Sequence, residues 1–280
     1  MKINYSEEYF KNVQRIMKST SNVAPLIRAV NKQIEFEGIQ KAWNSNITLI
    51  NQALSPLGNL AGKFEGFHDK IKKSIMILAN QGWYIDMSEP PRFLFKLADE
   101  IEAGNSGNID NYLVDYYSKK KDNILKKIVA VTPKRETILK AIFSAHDSQI
   151  YELSVPVGLI QVDGICKELA DGYFFMRDYK TKSPQTMKHV RSIEDEYIHM
   201  TIKAAFLTPL KSIQTINMSF NERVKFEKEN GEVFEGLNRH LILHGDSHDY
   251  NTQVNSLKVM SLINYIADVL NDNNSHENNI

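Results

Sequence analysis

The stretch EGLNRHLILHGDSHDYNTQVNSLK, residues 235–258, holds three of the chain's eight histidines, at 240, 244 and 248, with Arg239 directly before the first. If NRHLILHG is the end of a helix stopped by Gly245, His240 and His244 lie one turn apart on one face, with Arg239 at its edge. Arginine is a permanent planar cation suited to phosphate, and neutral histidine is poised to move protons near neutral pH. Together they are what transfer at a phosphodiester needs: one group deprotonates the attacking hydroxyl, and a fixed cation stabilises the charge developing on phosphorus. No metal is required when the attacking group is RNA's own 2′-hydroxyl. Two other readings stay open on these residues. His240, His244 and His248, interleaved with Asp246 and Asp249, could hold zinc and serve a metal-dependent hydrolase, although Gly245 would end the helix before His248. A plain polar helix end with satisfied histidines would need no chemistry at all.

Several elements must position these side chains. TQVNSLKVMSLINYIADVL, just after the histidines, repeats apolar residues at 259, 262, 263, 266 and 270, the spacing of one helical face. Upstream, SVPVGLIQVDGICKEL reads as a helix starting near Ser154, with Pro156 in its first turn. Its apolar residues surround most of the circumference, which marks a central helix. Asp163 falls between Leu159 and Ile160 on that wheel, and a buried carboxylate needs a cation or several donors. The partner is a backbone amide or hydroxyl on one reading, and Arg239 on the other. Thr132-Pro133, a fitting N-cap and first helical position, is the expected domain boundary. Before it, YFKNVQRIM, IQKAWNSNITLINQAL, DKIKKSIMILANQGW and IDNYLVDYYSKKKDNILKKIVAV all show helical periodicity. Gly82 reads as a stop, Pro90-Pro91 as a turn, and Lys119, Lys120, Lys121, Lys126 and Lys127 as a solvated face. Residues 184–211 read as helical and SFNERVKFEKENGEVFEG as irregular or weakly stranded. The expectation is an all-α chain with a helical region at 1–132, a second helical domain at 133–271, and a polar disordered tail at 272–280.

Composition narrows the function classes. The chain has 280 residues, with 34 basic and 34 acidic side chains, so net charge makes no case for a nucleic-acid binder, and any such role must rest on a local patch. Cys166 is the single cysteine, which excludes an intrachain disulfide or a thiolate metal cluster and suits a reducing cytoplasm. The first twenty residues lack the apolar core of a signal peptide, and no apolar run is long enough to span a bilayer. The expectation is a cytoplasmic protein that makes no membrane contact.

Arginine, a polar residue directly after it, and a histidine a few positions on resemble the signature of HEPN domains. Here the motif reads Arg239, His240, three apolar residues, His244. LNRHLILHG…DYNTQVNSLK, with the upstream YELSVPVGLIQVDGI, is similar to a group of bacterial proteins with HEPN-like C-terminal parts. The resemblance covers residues 133–271. It implies a helical bundle and a metal-independent endoribonuclease without cofactor, acting as a homodimer with two Arg/His sets facing one cleft. It also implies service as a toxin or in phage defence, with a regulatory partner or antitoxin as a further partner. His244 would be general base or acid, Arg239 the phosphate clamp and His240 a positioning group. The family's acidic residue on an earlier helix would be Asp163, with Glu168 the second choice. Asn238, Lys180 and Lys182 would contact the RNA. The remaining alternative is a catalytically silent HEPN-like module that binds RNA or a partner protein, with the N-terminal helices as its partner surface.

Overall fold

The computed structural model describes residues 66–196, 202–231 and 233–271; the helices expected before residue 66 and the tail 272–280 lie outside them. Every regular element among the described residues is a helix, and Arg177 and Pro184 form an isolated antiparallel bridge. The fold is all-α. Contacts divide the chain at Gly66, and one unit runs from Phe67 onward.

Within that unit, helix α1 (66–80) buries Ile71, Ile75, Leu78 and Ala79 on one stripe. It stops at Gly82, whose φ of +83° suits glycine. Pro90 caps α2 (Pro91–Glu102), and α3 runs from Ser106 to Val131. The turn at Thr132-Pro133 was expected to separate domains. Instead Thr132 is fully buried, its hydroxyl donates to Ile128 O at 2.8 Å, and the helices on both sides share one core. After a short 3-10 turn at Pro133–Arg135 come α4 (Glu136–Asp147) and α5 (Tyr151–Ala170).

Helix α5 begins at Tyr151, three residues before the expected start, so Pro156 lies inside it. Proline has no N–H to donate to the carbonyl four residues back, Glu152 O. The Tyr250 hydroxyl donates to that carbonyl at 3.4 Å, while Asn251 Nδ2 donates to Glu152 Oε1 at 2.6 Å. The proline thereby becomes a docking point for the loop that follows the histidine cluster. Apolar residues all round α5 suggested the centre of the fold, yet Leu153 is 56% and Ile160 53% exposed.

The central helix is α11 (Gln253–Val269), buried from Ser256 to Val269 except at Lys258 and packed chiefly on α5 and α3. Its polar residues are met inside the core. Ser256 bonds to His146 Nδ1 and to Ser154 Oγ, each at 2.8 Å, and Ser261 accepts from Tyr84 N at 3.2 Å. Asn264 donates to Asp86 at 2.5 Å, and Asp268 accepts from Met87 N at 2.8 Å. Lys127 was expected on a solvated face but reaches inward, 3.0 Å from Asp86 and 2.6 Å from Asp268. Gly158 is where α5 and α11 come closest: a Cβ there would lie 2.5 Å from Val259 Cγ1.

The remaining helices are α6 (Met187–Glu196), α7 (Ile202–Phe206), α8 (Thr208–Lys211), α9 (Phe220–Asn230) and α10 (Arg239–His244). The stretch 219–236, expected to be irregular, contains α9. A capping box of Ser219 and Glu222 opens it, and Gly231 at φ +72° closes it. No helix among the described residues is long and apolar enough to cross a membrane.

Candidate functional site

Helix α10 has only six residues and does not hold itself in place; Asn238 does this. Its Oδ1 caps the helix by accepting from His240 N at 3.1 Å and Leu241 N at 3.3 Å, and it also accepts from Arg223 at 3.1 Å. Its Nδ2 donates to Thr215 O at 2.8 Å and Met218 O at 3.1 Å. Asn238 was expected to touch RNA, but with 1% exposure and every polar atom engaged it is a structural cap. Gly245, at φ +79°, ends α10 as the sequence predicts.

The two motif histidines share a face: their rings are parallel within 3°, with centroids 6.0 Å apart. His240 is half-buried and His244 exposed. Burial, and then the charges of Arg239, His244, Arg223 and Arg177, hold the His240 imidazole below its ordinary pKa. It is therefore neutral at neutral pH, and the same cations make its surroundings electropositive.

Arg239 is half-buried, its guanidinium 5.7 Å from the centre of the Phe175 ring. Its Nε is buried without a hydrogen-bond partner, and among the described residues no carboxylate lies within ion-pair distance of its guanidinium, although the charge of Asp163 reaches it. The expected pairing with Asp163 does not form. Asp163 is partly buried and accepts from Phe175 N at 2.9 Å, the backbone partner that was the other reading. Burial raises its pKa, while the Phe175 amide and the nearby charge of Arg239 act against the rise. The acid therefore fixes Phe175, and Phe175 lies beneath Arg239. Glu168, the second choice for the acid, instead pairs with Arg135 at 3.0 Å. Arg135 also reaches Gln161 at 2.8 Å and Gly164 O at 2.7 Å, so Glu168 belongs to a clasp between the 3-10 turn and α5.

The two other arginines whose charges reach His240 are committed. Arg223 is 9% exposed and bonds to Asn238 and to Met218 O. Arg177 meets Glu222 through two bonds of 2.6 Å and touches Asn217 O at 3.3 Å. Lys180 and Lys182 are exposed on the turn that Arg177 roots. Neither Arg177 nor Arg223 stands out in the sequence, because each is a lone arginine far from the motif. The only legible signal was the Ser219-x-x-Glu222 capping box, which would have placed Glu222 and Arg223 on a helix.

The zinc arrangement of His240, His244 and His248 does not form. Gly245 turns the chain away, and His248 faces a hollow of about 320 Å³ lined by Glu152, Ile242, Gly245, Ser247, Tyr250 and Asn251. Among the described residues no three His, Cys, Asp or Glu side chains converge closely enough to hold an ion.

In comparisons with protein families, curated proteins and solved structures, none matches this chain.

Proposed function

We propose that this protein is a metal-independent endoribonuclease of HEPN type whose site is Arg239, His240 and His244. The observation that carries this reading is Arg239, a half-buried guanidinium without a hydrogen bond or ion pair among the described residues, beside two stacked histidines. Removing a charged donor from water without a partner is costly, and the ligand that best repays it is an anion such as phosphate. Arg177 and Arg223 are neutralised or held by their own partners, so Arg239 is the cation left to bind one.

In the proposed reaction His240, kept neutral by burial and its cationic neighbours, takes the proton of the 2′-hydroxyl. The 2′-oxygen bonds to phosphorus as the bond from phosphorus to the 5′-oxygen breaks. His244 acts as the general acid that gives a proton to that leaving oxygen, and Arg239 stabilises the charge on the non-bridging oxygens. The products are a 2′,3′-cyclic phosphate and a free 5′-hydroxyl. Asp163 contributes by fixing Phe175 under Arg239.

A cytoplasmic toxin or phage-defence effector with an antitoxin or other regulatory partner remains part of the same proposal, as does a homodimer. Exposed Ile150, Leu153 and Ile160 support the dimer, since they leave an apolar surface for a second copy. The test is RNA cleavage by folded Arg239→Ala and His240→Ala. Each is expected to lose about 10²–10⁴ in rate, and wild-type activity in both would overturn the assignment.

A further inference from the structure

Tyr179 is the most exposed aromatic residue among those described, at 87%, and the backbone around it is tightly held. Asp178 Oδ1 accepts from Lys180 N at 2.9 Å, Thr181 N at 2.8 Å and Thr181 Oγ1 at 3.1 Å. Asp178 N donates to Ser183 O at 2.8 Å, Lys182 N to Asp178 O at 2.9 Å and Gln185 N to Met176 O at 3.0 Å. Lys182 turns the chain at φ +57°. The result is an ordered turn with an aromatic ring at its tip, where burial would be the ordinary fate of a tyrosine. The Lys182 ammonium lies 4.6 Å from the centre of that ring, and Lys180 is exposed beside it.

The base of this turn is tied to the candidate site. Arg177, at its root, is gripped by Glu222 on α9, and its charge acts on the His240 imidazole. The carboxylate of Asp178 keeps its charge but is turned onto the turn's own donors, so the tip presents two lysines against that one carboxylate. A planar aromatic ring flanked by cations, rooted next to a phosphate-seeking arginine, suits a single-stranded polyanion with flat bases. Aromatic stacking of that kind is tolerant of base identity, while lysines track the phosphates.

We propose that the turn 178–183 is a stacking platform for one nucleotide of single-stranded RNA. The base lies on Tyr179, and Lys180 and Lys182 meet the flanking phosphates. The proposal rests on the ribonuclease reading of the Arg239–His240 site and adds where the strand runs after leaving it.

Binding of a labelled single-stranded RNA, 2′-O-methylated to resist cleavage, is measured by fluorescence anisotropy, and cleavage of the unmodified strand is followed in parallel. Tyr179→Ala is expected to weaken binding by roughly 5- to 150-fold, the range for loss of one base–aromatic stack. Tyr179→Phe keeps the ring and is expected to bind like wild type. Lys182→Asn, which tolerates the positive φ, is expected to reduce the slope of log affinity against log salt by about 0.7. An abasic position walked along the RNA should reach one site where wild type loses affinity and Tyr179→Ala does not. If wild type binds and cuts RNA while Tyr179→Ala binds equally well, the platform is wrong and the ribonuclease reading stands. If wild type neither binds nor cuts RNA, both fall.

Discussion

Replacing Glu222 with glutamine removes the negative charge that holds Arg177, and the structure allows the cost to be estimated. Two bonds of 2.6 Å from Arg177, joined by the Ser219 amide and hydroxyl at 2.8 Å each, hold the carboxyl at about 2, down from 4.5. Taken at face value that depression corresponds to about 3.4 kcal/mol of preference for the charged, folded form. Both side chains retain 28% exposure, so solvent screens the pair, and about 1–2 kcal/mol is the expected net loss in Glu222→Gln at neutral pH. Because the folded-state pKa is depressed, this contribution is fully present above the unfolded pKa of 4.5 and fades as pH falls toward 2. Urea denaturation of wild type and variant, followed by far-UV circular dichroism at neutral pH and at steps through the acid range, measures it. The gap between the two proteins should be widest at neutral pH and narrow below 4.5. A gap of zero at neutral pH, or one that stays constant down the acid range, would refute the reasoning.

Other positions give equally direct outcomes. Gly158→Ala forces a methyl group to within 2.5 Å of Val259 and should lower stability by about 1–3 kcal/mol in thermal melts, where an unchanged midpoint would contradict the close approach of α5 and α11. Lys127→Met leaves Asp86 and Asp268 facing each other without their cation, and a loss of about 3 kcal/mol or more in urea denaturation is expected. Titration of His240 by NMR should give a value below the ordinary histidine pKa of about 6.5, and a value at or above it would remove the base from the proposed reaction.

The helices were legible where burial writes a period into the sequence. α1, α2 and α3 carry regular apolar stripes, with Gly82 and Pro90-Pro91 as their punctuation. α9 was missed because its only buried residue is Arg223, so no apolar stripe announces it and only its capping box does. The identity of the central helix was misread for a related reason. α11 buries Ser256, Ser261, Asn264 and Asp268 against partners as distant as Tyr84 and Asp86, and sequence alone records no such partners. α5, by contrast, leaves apolar residues uncovered. At the site, the shared face of His240 and His244 and the stop at Gly245 followed from local spacing. The grip of Arg223 on Asn238, the bond from Phe175 to Asp163, and the field of Arg177 and Arg223 on His240 join different elements, and no local spacing records them.

The most direct test of the central claim is the chemistry of the cut ends. Purified protein is incubated with single-stranded RNA in EDTA, and the products are analysed by mass spectrometry. The account predicts cleavage that yields a 2′,3′-cyclic or derived phosphate on one fragment and a 5′-hydroxyl on the other, none from a strand that is 2′-deoxy at the cleavage position, and loss of cutting in Arg239→Ala. Fragments with 5′-phosphates, efficient cutting of DNA, or full dependence on a divalent metal would contradict it.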